Sequence, residues 1–127
     1  MKSLYRLLLA VTLSSFASGA FADEHPYSAE AFAQLTQAGQ DVIVDVHADW
    51  CPTCRRQQPV LEGLIKTDKY KKYTILVVDF DTQTQALQQF RVAQQSTLIV
   101  FHGREEKGRA TGITESGQIA ALLDQGL

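Results

Sequence analysis

Apolar residues follow two patterns along this chain: short unbroken runs rich in branched side chains, and longer stretches with helical spacing. Residues 42–47 form one such run, interrupted only by Asp45, and residues 73–79 and 97–101 form two more. Continuous apolar runs of this length suit strands buried on both faces, as in a parallel sheet. Helical spacing begins after Ser28, a plausible N-cap, and runs to about Ala38 through Ala29, Phe32, Ala33 and Leu35, with Gly39 as the stop. It recurs from Arg55 to about Lys66, from Thr82 to Arg91, and from Glu115 to Gln125, where Thr114 or Ser116 is expected to cap. Pro52 fits a first helical turn, whereas Pro59 inside the second helix predicts a kink. Residues 23–27 read as a loose lead-in and residues 66–72 as a solvated charged loop. Residues 102–107 read as a charged turn that returns as an edge strand over 108–111.

The order α, β, α, β, α, β, β, α predicts an α/β fold. A βαβ half and a ββα half would form a mixed four-stranded sheet flanked by helices. At 127 residues the chain allows one domain with a real core, and a charge of −2 argues against nucleic acid as a partner. A monomer is expected.

The first 22 residues read separately. Lys2 and Arg6 precede an apolar stretch from Leu7 to Phe16, and Ala20-Phe21-Ala22 has the small-x-small form of a cleavage site. The stretch falls short of the roughly 20 residues that span a bilayer. The expectation is a cleaved signal peptide over 1–22, a domain over 23–127, and export to the periplasm. Cleavage would remove two basic residues and no acidic one, leaving ten against fourteen and a charge of −4.

Cys51 and Cys54 are the two cysteines of the chain. A bridge enclosing two residues removes little entropy from the unfolded chain, so the pair is placed to react or to bind a metal. One CxxC supplies half of a four-cysteine zinc site, and His47 could add an imidazole, so a metal-binding or interaction module is the alternative to exchange chemistry. At a helix start, Cys51 would have its thiolate favoured by the dipole and by free amides, with Pro52 deleting one donor and leaving those of Thr53 and Cys54. Cys54, one turn inward and less exposed, would resolve a mixed disulfide. Asp45 in an apolar strand is costly if ionised and unpaired. It reads either as a proton acceptor for Cys54, its pKa raised by burial, or as a bend residue bonded to backbone. Trp50 is expected beside Cys51 on a substrate-contact surface, and Asp49 in a solvated loop.

With Trp50-Cys51-x-x-Cys54 at a strand-to-helix junction, Asp45 six residues upstream of Cys51 and Pro59 downstream, the sequence resembles the thioredoxin family. Asp79-Phe80-Asp81, 97–101 followed by Gly103, and Gly112 extend the match over nearly all of residues 23–127. The Ala48-Asp49-Trp50-Cys51 wording looks like secreted or periplasmic members, including the C-terminal domain of DsbD-type membrane reductant transporters. The resemblance implies a thioredoxin-like fold and an exported thiol–disulfide oxidoreductase. In it Cys51 would attack, Cys54 resolve and Asp45 accept a proton, while Trp50, Pro52, Thr53, Gln95 and Ser96 meet the substrate. No cofactor or metal is expected.

Three departures stand out. Family members carry a cis-proline facing the cysteines where this chain has Ser96, so the Gln95–Ser96 bond is expected to be trans. The lysine that partners the buried aspartate in many members falls at Val77, and an aromatic position falls at His47. Ser96 could hydrogen-bond a sulfur while the Gln95 backbone pairs with an extended substrate segment, or it could be drift at a position no longer needed. Pro52-Thr53 lacks the histidine of DsbA-type oxidases, and no inserted helical domain is evident, which favours a reductase over an oxidase. In an oxidising compartment a reductase needs electrons from elsewhere. The expected partners are therefore disulfide-bearing proteins and a membrane thiol-reductant transporter as donor.

Overall fold

A computed structural model describes residues 24–127, so the expected signal peptide lies outside the described residues. The elements in chain order are β1 (Glu24–Pro26), α1 (Ala29–Gln37), β2 (Asp41–His47), α2 (Pro52–Ile65), β3 (Thr74–Asp79), α3 (Thr84–Phe90), β4 (Thr97–His102), β5 (Glu105–Thr111) and α4 (Ser116–Asp124). The strands form one mixed sheet ordered β1-β3-β2-β4-β5. β2 runs parallel to β3 and antiparallel to β4, placing Asp45 between Val77 and Leu98 at the centre.

Period-two alternation divides the apolar residues between the two faces of the sheet. Ile43, Ile75, Leu98 and Val100 pack against Leu61 and Ile65 of α2 and Ile119, Leu122 and Leu123 of α4. Val42, Val44, Val46, Leu76, Val78, Ile99 and Phe101 face the other way, onto Ala86 and Phe90 of α3 and Phe32 and Leu35 of α1. Burial on both faces is why the three central strands read as unbroken apolar runs. Asp45 shares its face with Ile43 and therefore points to the α2 side.

The expected α/β architecture is present, with a fifth strand at one edge. Residues 24–26, read as a lead-in, pair parallel with β3, and the Tyr27 amide continues the ladder by donating to the Val77 carbonyl at 2.8 Å. The charged turn expected over 102–107 is much tighter: β5 starts at Glu105 and pairs with β4 across a register shift at Val100/Phe101. Its first residues are exposed and polar because an edge strand needs no apolar face there. Ser28 caps α1 through its side chain at 3.0 Å from the Ala31 amide. The N-cap of α4 is instead Glu115, which makes no side-chain cap bond, and Ser116 is the first helical residue. α2 continues through Pro59, which leaves the Arg55 carbonyl without its usual intrahelical donor.

Candidate active site

The end of β2 delivers the chain through Ala48, Asp49 and Trp50 to Cys51, the N-cap of α2. Pro52 occupies the first helical position, where an amide would have been unused. The Cys54 amide donates to Cys51 Sγ at 3.2 Å, so a sulfur does the work that an oxygen does at most caps. Both thiols are free. Burial of Cys51 opposes ionisation. Hydrogen bonds from the Cys54 side chain, the Ser96 side chain and the Cys54 and Thr53 amides outweigh it, bringing the thiol below the ordinary cysteine range. Cys54 moves the other way, raised by burial and by its hydrogen bond to Cys51. The arrangement favours the thiolate at Cys51 and the thiol at Cys54.

The difference in exposure expected between the cysteines is absent: Cys51 is 2% exposed and Cys54 1%. Both sit in a small apolar cluster with Ala48, against which Phe80 packs. Trp50 beside them is 56% exposed and tethered by its indole N–H to Asp81 Oδ2 at 2.9 Å. Pro52 is exposed and Thr53 half-buried, so the residues between the cysteines form part of the open surface.

Opposite the sulfurs lies Ser96. No peptide bond among the described residues is cis, so Gln95–Ser96 is trans as expected. The chain reaches this position with Ser96 at φ 60°, in the left-handed region that non-glycine residues enter at a cost. The Ser96 amide donates to the Val46 carbonyl at 2.8 Å, and the Ser96 carbonyl accepts from the Gly112 amide at 2.9 Å. Its Oγ lies 3.2 Å from Cys51 Sγ and 3.0 Å from Cys54 Sγ. Gln95 is half-buried at the rim.

Gln57, absent from the sequence reading, holds this corner together. One turn after Cys54 and 1% exposed, it donates from Nε2 to the Ser96 carbonyl at 3.3 Å and to the Ile113 carbonyl at 2.8 Å. A glutamine on the buried α2 stripe of Cys54, Gln57, Leu61 and Ile65 was the available signal. Gln57→Leu keeps the volume and removes both bonds, stranding the Ile113 carbonyl. The expected loss is about 1–3 kcal/mol of stability, checked by urea denaturation. A change below about 0.5 kcal/mol would show that the clamp is dispensable.

Asp45 is 3% exposed. Burial raises its pKa to about 7; His47 pulls it down, and the carboxylates of Glu24 and Glu62 push it further up. Val77, where the family's lysine would stand, is its register partner on β3. The groups around it are therefore His47 on β2, Glu24 on β1 and Glu62 on α2. Glu24 accepts from Gln58 Nε2 at 3.0 Å, and burial and Glu62 raise its pKa in turn. His47 Nε2 lies 3.2 Å from Asp49 Oδ1. A cleft of about 660 Å³ is lined by Glu24, His47, Val77 and Asp79 among others. A larger groove of about 760 Å³ lies between α1, α3 and β5 and contains neither cysteine. Among the described residues, no three His, Cys, Asp or Glu side chains converge in a geometry that could hold a metal ion.

Comparison with known proteins agrees with the geometry. The family model described as Thioredoxin matches residues 24–125. A thioredoxin of Chlamydia trachomatis is 33% identical over 98 residues, covering 77% of this chain and 93% of its own. That of Alicyclobacillus acidocaldarius is 32% identical over 92 residues, covering 72% and 87%. Among solved structures, Trxlp from Edwardsiella tarda aligns with a TM-score of 0.76 at 44% identity, covering 80% of this chain and 97% of that one.

Proposed function

The chain belongs to the thioredoxin family, and from that premise we propose that it is an exported disulfide reductase of the periplasm, with Cys51 as nucleophile and Cys54 as resolving thiol. Thiol–disulfide oxidoreduction on disulfide-bearing proteins follows from the family itself. The assignment of roles rests on one observation: two adjacent sulfurs at the α2 N-terminus whose pKa values are driven apart, Cys51 down and Cys54 up.

The Cys51 thiolate attacks a substrate disulfide and expels one substrate thiolate. Cys54, after losing its proton, attacks Cys51 Sγ and expels the second, leaving the Cys51–Cys54 disulfide. Asp45 accepts the Cys54 proton, a task suited to a carboxylate that titrates near neutrality. Trp50, Pro52, Thr53 and Gln95 surround the sulfurs and meet the substrate.

Export rests on residues 1–22, and the reducing direction on the absence of a histidine between the cysteines. In an oxidising compartment the pair must be reduced again after each turnover, which calls for a membrane thiol-reductant transporter as donor. Two measurements test this reading. On cell fractionation the protein is expected in the periplasmic extract, beginning at Asp23; recovery in the cytoplasmic fraction with Met1 retained would reject export. The reduction potential of the pair is expected nearer the thioredoxin value of about −270 mV than the oxidase value of about −120 mV. A value at the oxidising end would reverse the direction.

A further inference from the structure

Ser96 is built into the redox centre so that its hydroxyl is its one uncommitted group. Its amide is bonded to Val46, and its carbonyl receives both Gly112 and Gln57. The residue is 3% exposed, and its left-handed backbone aims Oγ at both sulfurs, 3.2 Å from one and 3.0 Å from the other. A hydroxyl carries one proton and two acceptor lone pairs, so it can donate to one sulfur and accept from the other but cannot donate to both.

We propose that Ser96 Oγ is a catalytic hydrogen-bond bridge that follows the negative charge from Cys51 to Cys54 during exchange. In the dithiol state Ser96 donates to the Cys51 thiolate, which the Cys54 S–H also approaches as a donor. Attack by Cys51 forms the Cys51–substrate disulfide and releases one substrate thiolate, leaving Cys51 Sγ neutral and a poor acceptor. The hydroxyl then rotates about its C–O bond to donate to Cys54, whose proton passes to Asp45 or to solvent. The Cys54 thiolate attacks Cys51 Sγ, the mixed disulfide breaks, and the second substrate thiolate departs. Two electrons pass to the substrate, and Ser96 ends with the proton it began with. A shared hydroxyl thus stabilises whichever thiolate is due to react. This sequence rests on the assignment of Cys51 as attacking and Cys54 as resolving thiol.

There is an equilibrium consequence. The bond to a thiolate exists in the reduced protein and is lost in the disulfide, so Ser96 selectively stabilises the reduced form. That raises the reduction potential above that of the same pair without the hydroxyl.

Ser96→Ala and Ser96→Gly test this together. Both remove the hydroxyl, but only glycine relieves the left-handed backbone, so a change common to both belongs to Oγ. Ultraviolet titration of the thiolate is expected to place the Cys51 pKa higher in both variants. About tenfold less thiolate at neutral pH, partly offset by greater nucleophilicity, would slow the first thiol release from a chromogenic aromatic disulfide by about threefold. The second release, which reports resolution by Cys54, is expected to slow as well. Equilibration with glutathione is expected to shift about tenfold toward the protein disulfide, equivalent to about 30 mV. Wild-type titration and equilibrium in both variants would overturn the proposal, as would an effect in Ser96→Ala that Ser96→Gly abolishes. The thiolate titration does not depend on which cysteine attacks substrate. Repeating it in Cys54→Ser assigns the signal to Cys51 and separates failure of the bridge from failure of the role assignment.

Discussion

Cys51→Ser is expected to lower disulfide reduction to the uncatalysed background, while Cys54→Ser leaves the first attack intact and accumulates a mixed disulfide with the substrate. The asymmetry follows from the sulfur environments. Cys51 Sγ receives the Cys54 amide at 3.2 Å and is held below the ordinary thiol range, so it supplies the thiolate that exchange requires. Cys54 is raised by burial and by its neighbour, leaving little thiolate to replace Cys51 as attacker. A serine hydroxyl at position 51 would accept the same cap bond and keep α2 in place, so the variant should fold and fail only in chemistry. Insulin reduction measures the loss, and mass spectrometry of acid-quenched mixtures detects the trapped adduct. Adduct accumulation with Cys51→Ser, and loss of the first attack with Cys54→Ser, would interchange the two roles.

The sequence disclosed whatever burial imposes on composition. β2, β3 and β4 are covered on both faces, so they had to be nearly continuous apolar runs, and their positions were legible to within a residue or two. Strands at the sheet edge carry no such constraint. β1 is the exposed tripeptide Glu24–Pro26, held by backbone bonds to β3, and β5 opens on Glu105, Glu106 and Lys107; neither has an apolar period to find. Position 96 was recognisable as unusual because proline was missing. Its left-handed φ and simultaneous approach to both sulfurs arise from contacts with Val46, Gly112 and Gln57, which lie 50, 16 and 39 residues away along the chain. The near-complete burial of Cys51 was hidden for the same reason, since a cap position indicates where a side chain begins and not what covers it.

Asp45→Asn is expected to stabilise the protein in alkaline solution while impairing its turnover. A carboxyl ordinarily titrating at 3.8 and raised to about 7 in the fold keeps its proton where the unfolded chain has already lost it. Between those values the native state binds more protons than the unfolded state, so stability falls as pH rises and levels off above about 7. At about 1.4 kcal/mol per pH unit, the full penalty approaches roughly 4 kcal/mol, of which about 2–3 kcal/mol develops between pH 5 and pH 8. Asparagine cannot ionise, although its buried amide costs about 1–3 kcal/mol where hydrogen bonds are lacking. The variant should therefore gain about 2–3 kcal/mol on wild type as pH is raised from 5 to 8. Urea denaturation of the oxidised proteins reads this directly, because the disulfide removes both thiols from the titration. Catalysis moves in the opposite direction. Losing the acceptor for the Cys54 proton should slow resolution by up to about 10²-fold, whereas initial attack by Cys51 is largely retained. Parallel stability curves for wild type and variant would show that Asp45 does not titrate in this range. Undiminished resolution alongside the expected stability gain would leave a carboxyl that is costly to bury and idle in the exchange.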